Sequence, residues 1–339
     1  MSDQSTPGAG GDPNSDTDFE VGQHNITPFG LDIHNPVFLI SGLSIIAFVL
    51  VTLMYQAGAT EFFGWLRPFL TSTFDWFFLA SANVFVLFCL YLMVSPLGKI
   101  RLGGPDATPD YSYSGWFAML FAAGMGIGLM FFGVSEPMSH FGSSMGGVSV
   151  ENGVRTDWAP LGAAKGDLEA ARNLGMAATI FHWALHPWAI YAVVALSLAF
   201  FTYNRNLPLT LRSAFYPIFG DRVWGWTGHI IDTLAVFATL FGLATSLGFG
   251  TQQALAGLNH LFDIPTGDVA KVVLIAAITG AALVSVLRGL DGGVKILSEV
   301  NIALAALLLI FIIAVGPTAA IFETIISGGV AYVQEIIPL

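Results

Sequence analysis

Phe121-Ala122-Ala123-Gly124-Met125-Gly126-Ile127-Gly128-Leu129-Met130 lies inside an apolar run over 115–142, long enough to cross a bilayer as a helix. Glycines at alternate positions do not line one helix face, because each step of two residues rotates by about 200°. A helix-dimerising face would use four-residue spacing instead. Each glycine weakens a helix by roughly 1 kcal/mol relative to alanine. The stretch therefore predicts a helix unwound near the membrane midplane, with freed carbonyls and amides facing a cation or a carboxylate. Close packing against a neighbouring helix is the competing reading. The spacing is not G-x-G-x-x-G and no βαβ unit surrounds it, which argues against a nucleotide-binding loop.

Outward from this run, six more apolar stretches reach spanning length: 37–56, 74–95, 174–202, 228–250, 269–288 and 294–316. Backbone groups in hydrocarbon must be satisfied within the segment, so each reads as a helix. The segment 318–336 carries Glu323 and Glu335 and reads as an amphipathic helix at the interface. Only 10% of the 339 residues are charged and 55% are hydrophobic, less than half the charge of a soluble domain. The fold class is an all-α integral membrane protein, and its first partner is the lipid bilayer.

The formal charge of −11 is concentrated at the start. Asp3, Asp12, Asp16, Asp18, Glu20 and Asp32 precede Pro36 with no Lys or Arg among them, so 1–36 reads as a disordered acidic tail. No basic patch for nucleic acid is present. Cys89 is the only cysteine, which excludes an intrachain disulfide and a cysteine-based metal cluster. A cytoplasmic N-terminus puts Lys99, Arg101, Arg205, Arg212, Arg222, Arg288 and Lys295 inside, and Arg67, Arg155, Lys165, Arg172 and Lys271 outside. The short loops favour that orientation.

The fourth run contains Phe181-His182-Trp183-Ala184-Leu185-His186-Pro187-Trp188-Ala189-Ile190-Tyr191. Trp and Tyr usually prefer the interface, yet Trp183, Trp188 and Tyr191 lie deep in the run, within an arc of about 140°. Aromatic faces bind a quaternary ammonium, which has no N–H to donate, by cation–π attraction worth about 2 kcal/mol when desolvated. Trp183 and Tyr191 are about 12 Å apart along a straight helix, too far to enclose one small cation. Either Pro187 bends the helix or another helix completes the cage; plain aromatic packing is the alternative. His182 and His186 stand four apart, but no zincin-type glutamate or cysteine accompanies them, so they read as packed or hydrogen-bonded rather than metal-ligating. Thr239, Thr245 and Ser246 in the fifth run can ligate sodium or bond back to a helix carbonyl. Glu136, near a span end, caps, pairs or relays protons.

Gly124-Met125-Gly126-Ile127-Gly128-Leu129-Met130, Ser135-Glu136-Pro137 and Phe181-His182-Trp183 through Tyr191 together resemble the betaine/choline/carnitine transporter family. Ile100-Arg101-Leu102-Gly103 and the segment Ile231-Asp232 to Ser246-Leu247-Gly248 extend the resemblance over about 37–336. It implies a LeuT-like inverted-repeat transporter. Two peripheral helices would lie in 37–114, the first five-helix repeat in 115–316, and an interfacial helix in 317–339, where the chain ends before a second repeat, an N-terminal portion of the carrier. It implies import of glycine betaine or a related quaternary-ammonium solute across the plasma membrane, with Na+ or H+ as coupling ion, no cofactor, and a homotrimer when complete. Trp183, Trp188 and Tyr191 would bind the ammonium, with the backbone of Ala123, Gly124, Gly126 and Gly128 near the substrate. Carbonyls of Ala122 and Met125 and the hydroxyl of Thr239 would bind the cation. Leu243 stands where a second sodium-ligating hydroxyl is expected. Gly128 stands where choline-selective relatives place an acid, which favours a zwitterion. A non-transporting osmolyte sensor is the alternative; an intramembrane enzyme built on His182 and His186, and a channel, fit less well.

Overall fold

The structure, a computed structural model, describes residues 17–146, 150, 151, 154, 155, 164, 166–337 and 339. Among these the protein is nearly all helical. In chain order the helices are α1 (Val37–Met54), α2 (Gln56–Val94), α3 (Tyr113–Met125), α4 (Ile127–Gly146), α5 (Leu168–Trp183), α6 (Leu185–Ala199), α7 (Tyr216–Phe219), α8 (Trp226–Phe262), α9 (Asp268–Leu287), α10 (Lys295–Val315) and α11 (Thr318–Glu335). Two short antiparallel pairs complete it: β1 (Asn25–Ile26) with β2 (Ile33–His34), and β3 (Val150–Glu151) with β4 (Val154–Arg155). Six helical segments among the described residues are long and apolar enough to cross a membrane. Their side chains are largely exposed, as lipid-facing surfaces are.

Several elements differ from the expectation in informative ways. Helix α2 begins at Gln56 rather than near residue 74, so the segment carrying Glu61, Trp65 and Arg67 continues the helix. The run over 115–142 is not one helix: α3 stops at Met125, Gly126 takes φ −67° and ψ −94°, and α4 begins at Ile127. The run over 174–202 is likewise divided at Ala184, with φ −97° and ψ −115°. Pro187 explains that position, since its ring clashes with the carbonyl four residues back, Trp183, and offers no N–H to it.

The chain forms two compact units, 1–108 with 186–241, and 109–185 with 242–339. Within the first unit, α6 touches α2 through two side chains. There His186 Nε2 meets Asn83 Oδ1 at 3.2 Å and the Cys89 thiol approaches the Ala189 carbonyl. The expected disordered tail is corrected from Thr17 onward: Phe19 stacks on Trp224 with centroids 4.2 Å apart, and β1–β2 follow. The acidic positions Asp3, Asp12 and Asp16 lie outside the described residues, as does Lys165.

In the second unit α5 is the central element. Gly175 has no side chain because a Cβ there would lie 2.9 Å from the Phe141 backbone nitrogen of α4. On another side α5 receives α11 through Gly328, Ala331 and Tyr332, and Arg172 pairs with Glu323 at 3.3 Å. The segment read as an interfacial helix is thus a helix with one face packed against protein.

Candidate functional site

The break at Gly126 places two helix ends back to back. The last carbonyls of α3, from Ala122 to Met125, lose their intrahelical donors, while the first amides of α4 lose their acceptors. Aligned peptide dipoles make the α3 end favourable to a cation and the α4 start favourable to an anion. Ala122, Ala123, Gly124, Met125, Gly126 and Gly128 all fall within a few residues of this break. At Gly128 a Cβ would stand 2.6 Å from Cη2 and 2.8 Å from Cζ3 of Trp183. The indole therefore lies directly against the start of α4, and only glycine permits it.

Trp183 is held there from the other side. Its indole N–H donates to Oε2 of Glu136 at 2.6 Å. The other carboxylate oxygen meets His182 Nδ1 at 2.6 Å and His140 Nε2 at 3.2 Å. Glu136 is buried, with 4% exposure, and a carboxylate so placed requires partners of this kind. An ionised carboxylate only accepts, so the histidine nitrogens facing it are the protonated ones of each ring. Phe132 flanks the indole at 5.9 Å between centroids. Phe131 and Phe132 both contact Phe249, at 4.8 and 5.8 Å. The close approach of α4 and α5 at Gly175 brings Glu136 within reach of His182 and Trp183.

The aromatic residues of the fourth run divide between two helices. Trp183 is the last residue of α5, whereas Trp188 and Tyr191 are on α6, where their rings meet at 5.8 Å. Both are partly exposed, Trp188 at 37% and Tyr191 at 53%. A single helix therefore does not present all three. His182 and His186 engage different partners, Glu136 and Asn83. Thr239 donates to the Ala235 carbonyl at 2.9 Å within α8, the back-bonded geometry.

Sequence reasoning singled out Glu136 but not what it holds, and it passed over Phe131, Phe132 and Phe249. The available signal was an acid preceding a proline inside an apolar run. Trp183, 47 residues further along, was marked by its own position deep in an apolar run, but its pairing with Glu136 carries no local mark.

Residues 36–339 match the sequence signature of the family described as BCCT, betaine/carnitine/choline family transporter. The chain is 63% identical to the glycine betaine/proline/choline transporter of Vibrio parahaemolyticus, over 95% of its own length and 59% of that protein's. It is 53% identical to glycine betaine transporter 1 of the same organism, over 95% of this chain and 59% of that one. Against the glycine betaine transporter OpuD of Bacillus subtilis the identity is 43%, over 80% of this chain and 50% of that one. The chain thus spans somewhat over half the length of the first two of these relatives. The family and these relatives are transporters, not enzymes. A signature covering nearly all the described helices, on an all-α multi-pass membrane protein with a broken third span, shows that this chain belongs to the betaine/carnitine/choline transporter family, whose fold is LeuT-like.

Proposed function

We propose that the protein takes part in secondary active import of glycine betaine or a closely related quaternary-ammonium solute, driven by sodium or proton entry. The observation that carries this reading is the Trp183 indole lying against Gly128 beside the break at Gly126. A betaine molecule has a cation without N–H groups and a carboxylate. The first suits an aromatic face; the second suits the free amides at the start of α4. Trp188 and Tyr191 supply a second aromatic surface. A coupling cation would use the carbonyls of Ala122 and Met125; the resemblance also assigns a cation-ligating role to the Thr239 hydroxyl, which would have to give up its bond to Ala235. The names of the relatives support the substrate class, choline included for the first of them; the preference for a zwitterion over a pure cation rests on the family resemblance at Gly128 alone.

In this reading the protein sits in the plasma membrane with the N-terminus in the cytoplasm, the side on which Lys99, Arg101, Arg205, Arg212 and Arg222 fall. A homotrimeric assembly accords with the family resemblance. The test is uptake of labelled betaine by proteoliposomes holding the purified protein, with and without imposed sodium and proton gradients. Gradient-dependent, saturable accumulation supports the proposal. Saturable binding without accumulation under either gradient would replace it with a non-transporting osmolyte-binding protein.

A further inference from the structure

The segment 17–36 is latched onto the first unit by a chain of hydrogen bonds that runs through two histidines and one arginine. Arg212 is 2% exposed and pairs through Nε with Asp232, whose other oxygen accepts from the Arg212 backbone amide at 3.0 Å. Its Nη1 reaches the Val223 carbonyl. Its Nη2 meets His34 Nε2 from the arm and His229 Nδ1 from α8, both at 3.2 Å. A guanidinium has donors only. Each of those two imidazole nitrogens must therefore be the bare, accepting one. On the far side of the His34 ring, Nδ1 lies 3.2 Å from Asn25 Oδ1, and the Asn25 amide donates to Asp32 at 2.8 Å. That chain fixes the tautomer: Nδ1 carries the proton and Nε2 has none.

Around this core the arm adds Phe19 stacked on Trp224. Thr17 accepts from the Trp224 indole at 2.9 Å and donates to Asp221 at 3.0 Å. His24 completes the set, its ring 5.5 Å from Phe19 and 6.0 Å from His229. The titratable and charged groups facing His34 are thus Arg212, Asp232, His229 and His24, with Asp32 reached through Asn25. Of these, Asp232 is already committed to Arg212 twice over.

We propose that this arm is a proton-released latch: it docks only while His34 and His229 are neutral, and protonation of either expels it. A proton on Nε2 of His34 would set N–H against N–H and place a second cation beside a buried guanidinium. Burial, and then the neighbouring Arg212 charge, hold His34 below its ordinary value of 6.5. The docked arm consequently binds fewer protons than the free one. Docking is complete above about pH 6.5 and is lost as the pH falls below that value.

The experiment uses the full chain with Cys89→Ser and a nitroxide on Val21→Cys, an arm position whose native side chain is 80% exposed, so that the label does not disturb docking. The spin-label line shape reports arm mobility between about pH 8 and pH 5, the range in which histidines titrate. The mobile fraction is expected to rise severalfold across that range. Introducing His34→Lys, a fixed cation, should give the mobile spectrum already at the upper limit. With His34→Gln and His229→Gln together, whose amide oxygens accept without titrating, the arm should stay immobilised throughout. An unchanged wild-type spectrum, or an immobilised arm in the lysine variant, would overturn the latch. So would a wild-type-sized transition in the double glutamine variant.

Discussion

The indole nitrogen of Trp183 donates to Oε2 of Glu136 at 2.6 Å, so the ring lying against Gly128 is fixed by a carboxylate 47 residues earlier in the chain. One buried acid thus determines where an aromatic surface stands relative to a broken helix. Hydrogen bonds to a charged group contribute more than neutral ones, about 1.5–3 kcal/mol each.

Replacing that acid should be felt at the substrate. Glu136→Gln keeps a carbonyl acceptor but exchanges the other oxygen for an NH2, which faces a donor from either Trp183 or His182. Betaine affinity, measured by calorimetric or fluorescence titration, is expected to fall about tenfold or more, matching the loss of one charge-assisted bond. Wild-type affinity in this variant would separate Glu136 from the site.

Gly128→Ala places a methyl group within 2.8 Å of the Trp183 ring, and the ring must move. Overpacking of this sort typically costs about 1–3 kcal/mol. The expected outcome is weakened betaine binding with a modest fall in melting temperature. If thermal stability and affinity are both unchanged, the contact between Gly128 and Trp183 is not as described.

At Gly175 the obstacle is backbone rather than a movable ring. A Cβ would lie 2.9 Å from the Phe141 nitrogen and 3.3 Å from the Pro137 carbonyl. Gly175→Ala should separate α4 from α5, at a cost of about 1–3 kcal/mol. A lowered melting temperature in detergent, together with weakened betaine binding, is the expected pair of readings, because Glu136 and Trp183 lie on the two helices forced apart.

Arg212 and Asp232 form a buried pair whose members depend on one another. Removing only the cation with Arg212→Met leaves Asp232 buried and unpaired, which typically costs about 3–5 kcal/mol. Expression as folded protein should fall sharply. Arg212→Met with Asp232→Leu should recover much of it, as seen by monodispersity on size exclusion.

The apolar runs, the weak point at Gly124-Met125-Gly126-Ile127-Gly128 and the aromatic content of the fourth span were all legible in the sequence. Each depends on hydrophobicity or backbone propensity within about 20 consecutive residues, and lipid imposes helix on any such run. The glycine pattern located the break near Gly126 because missing side chains weaken a helix wherever they occur. Pro187 marked a bend, and its clash with the Trp183 carbonyl explains why the interruption falls at Ala184. Tertiary structure alone decided which side chains meet. Glu136 reaches Trp183 and His182 only because Gly175 lets α5 close on α4. His34 reaches Arg212 only because the acidic arm folds back onto the chain that follows α6. Such contacts join residues separated by 46 or 178 positions. No local period encodes them, since they follow from how helix faces and loops pack once the spans have formed.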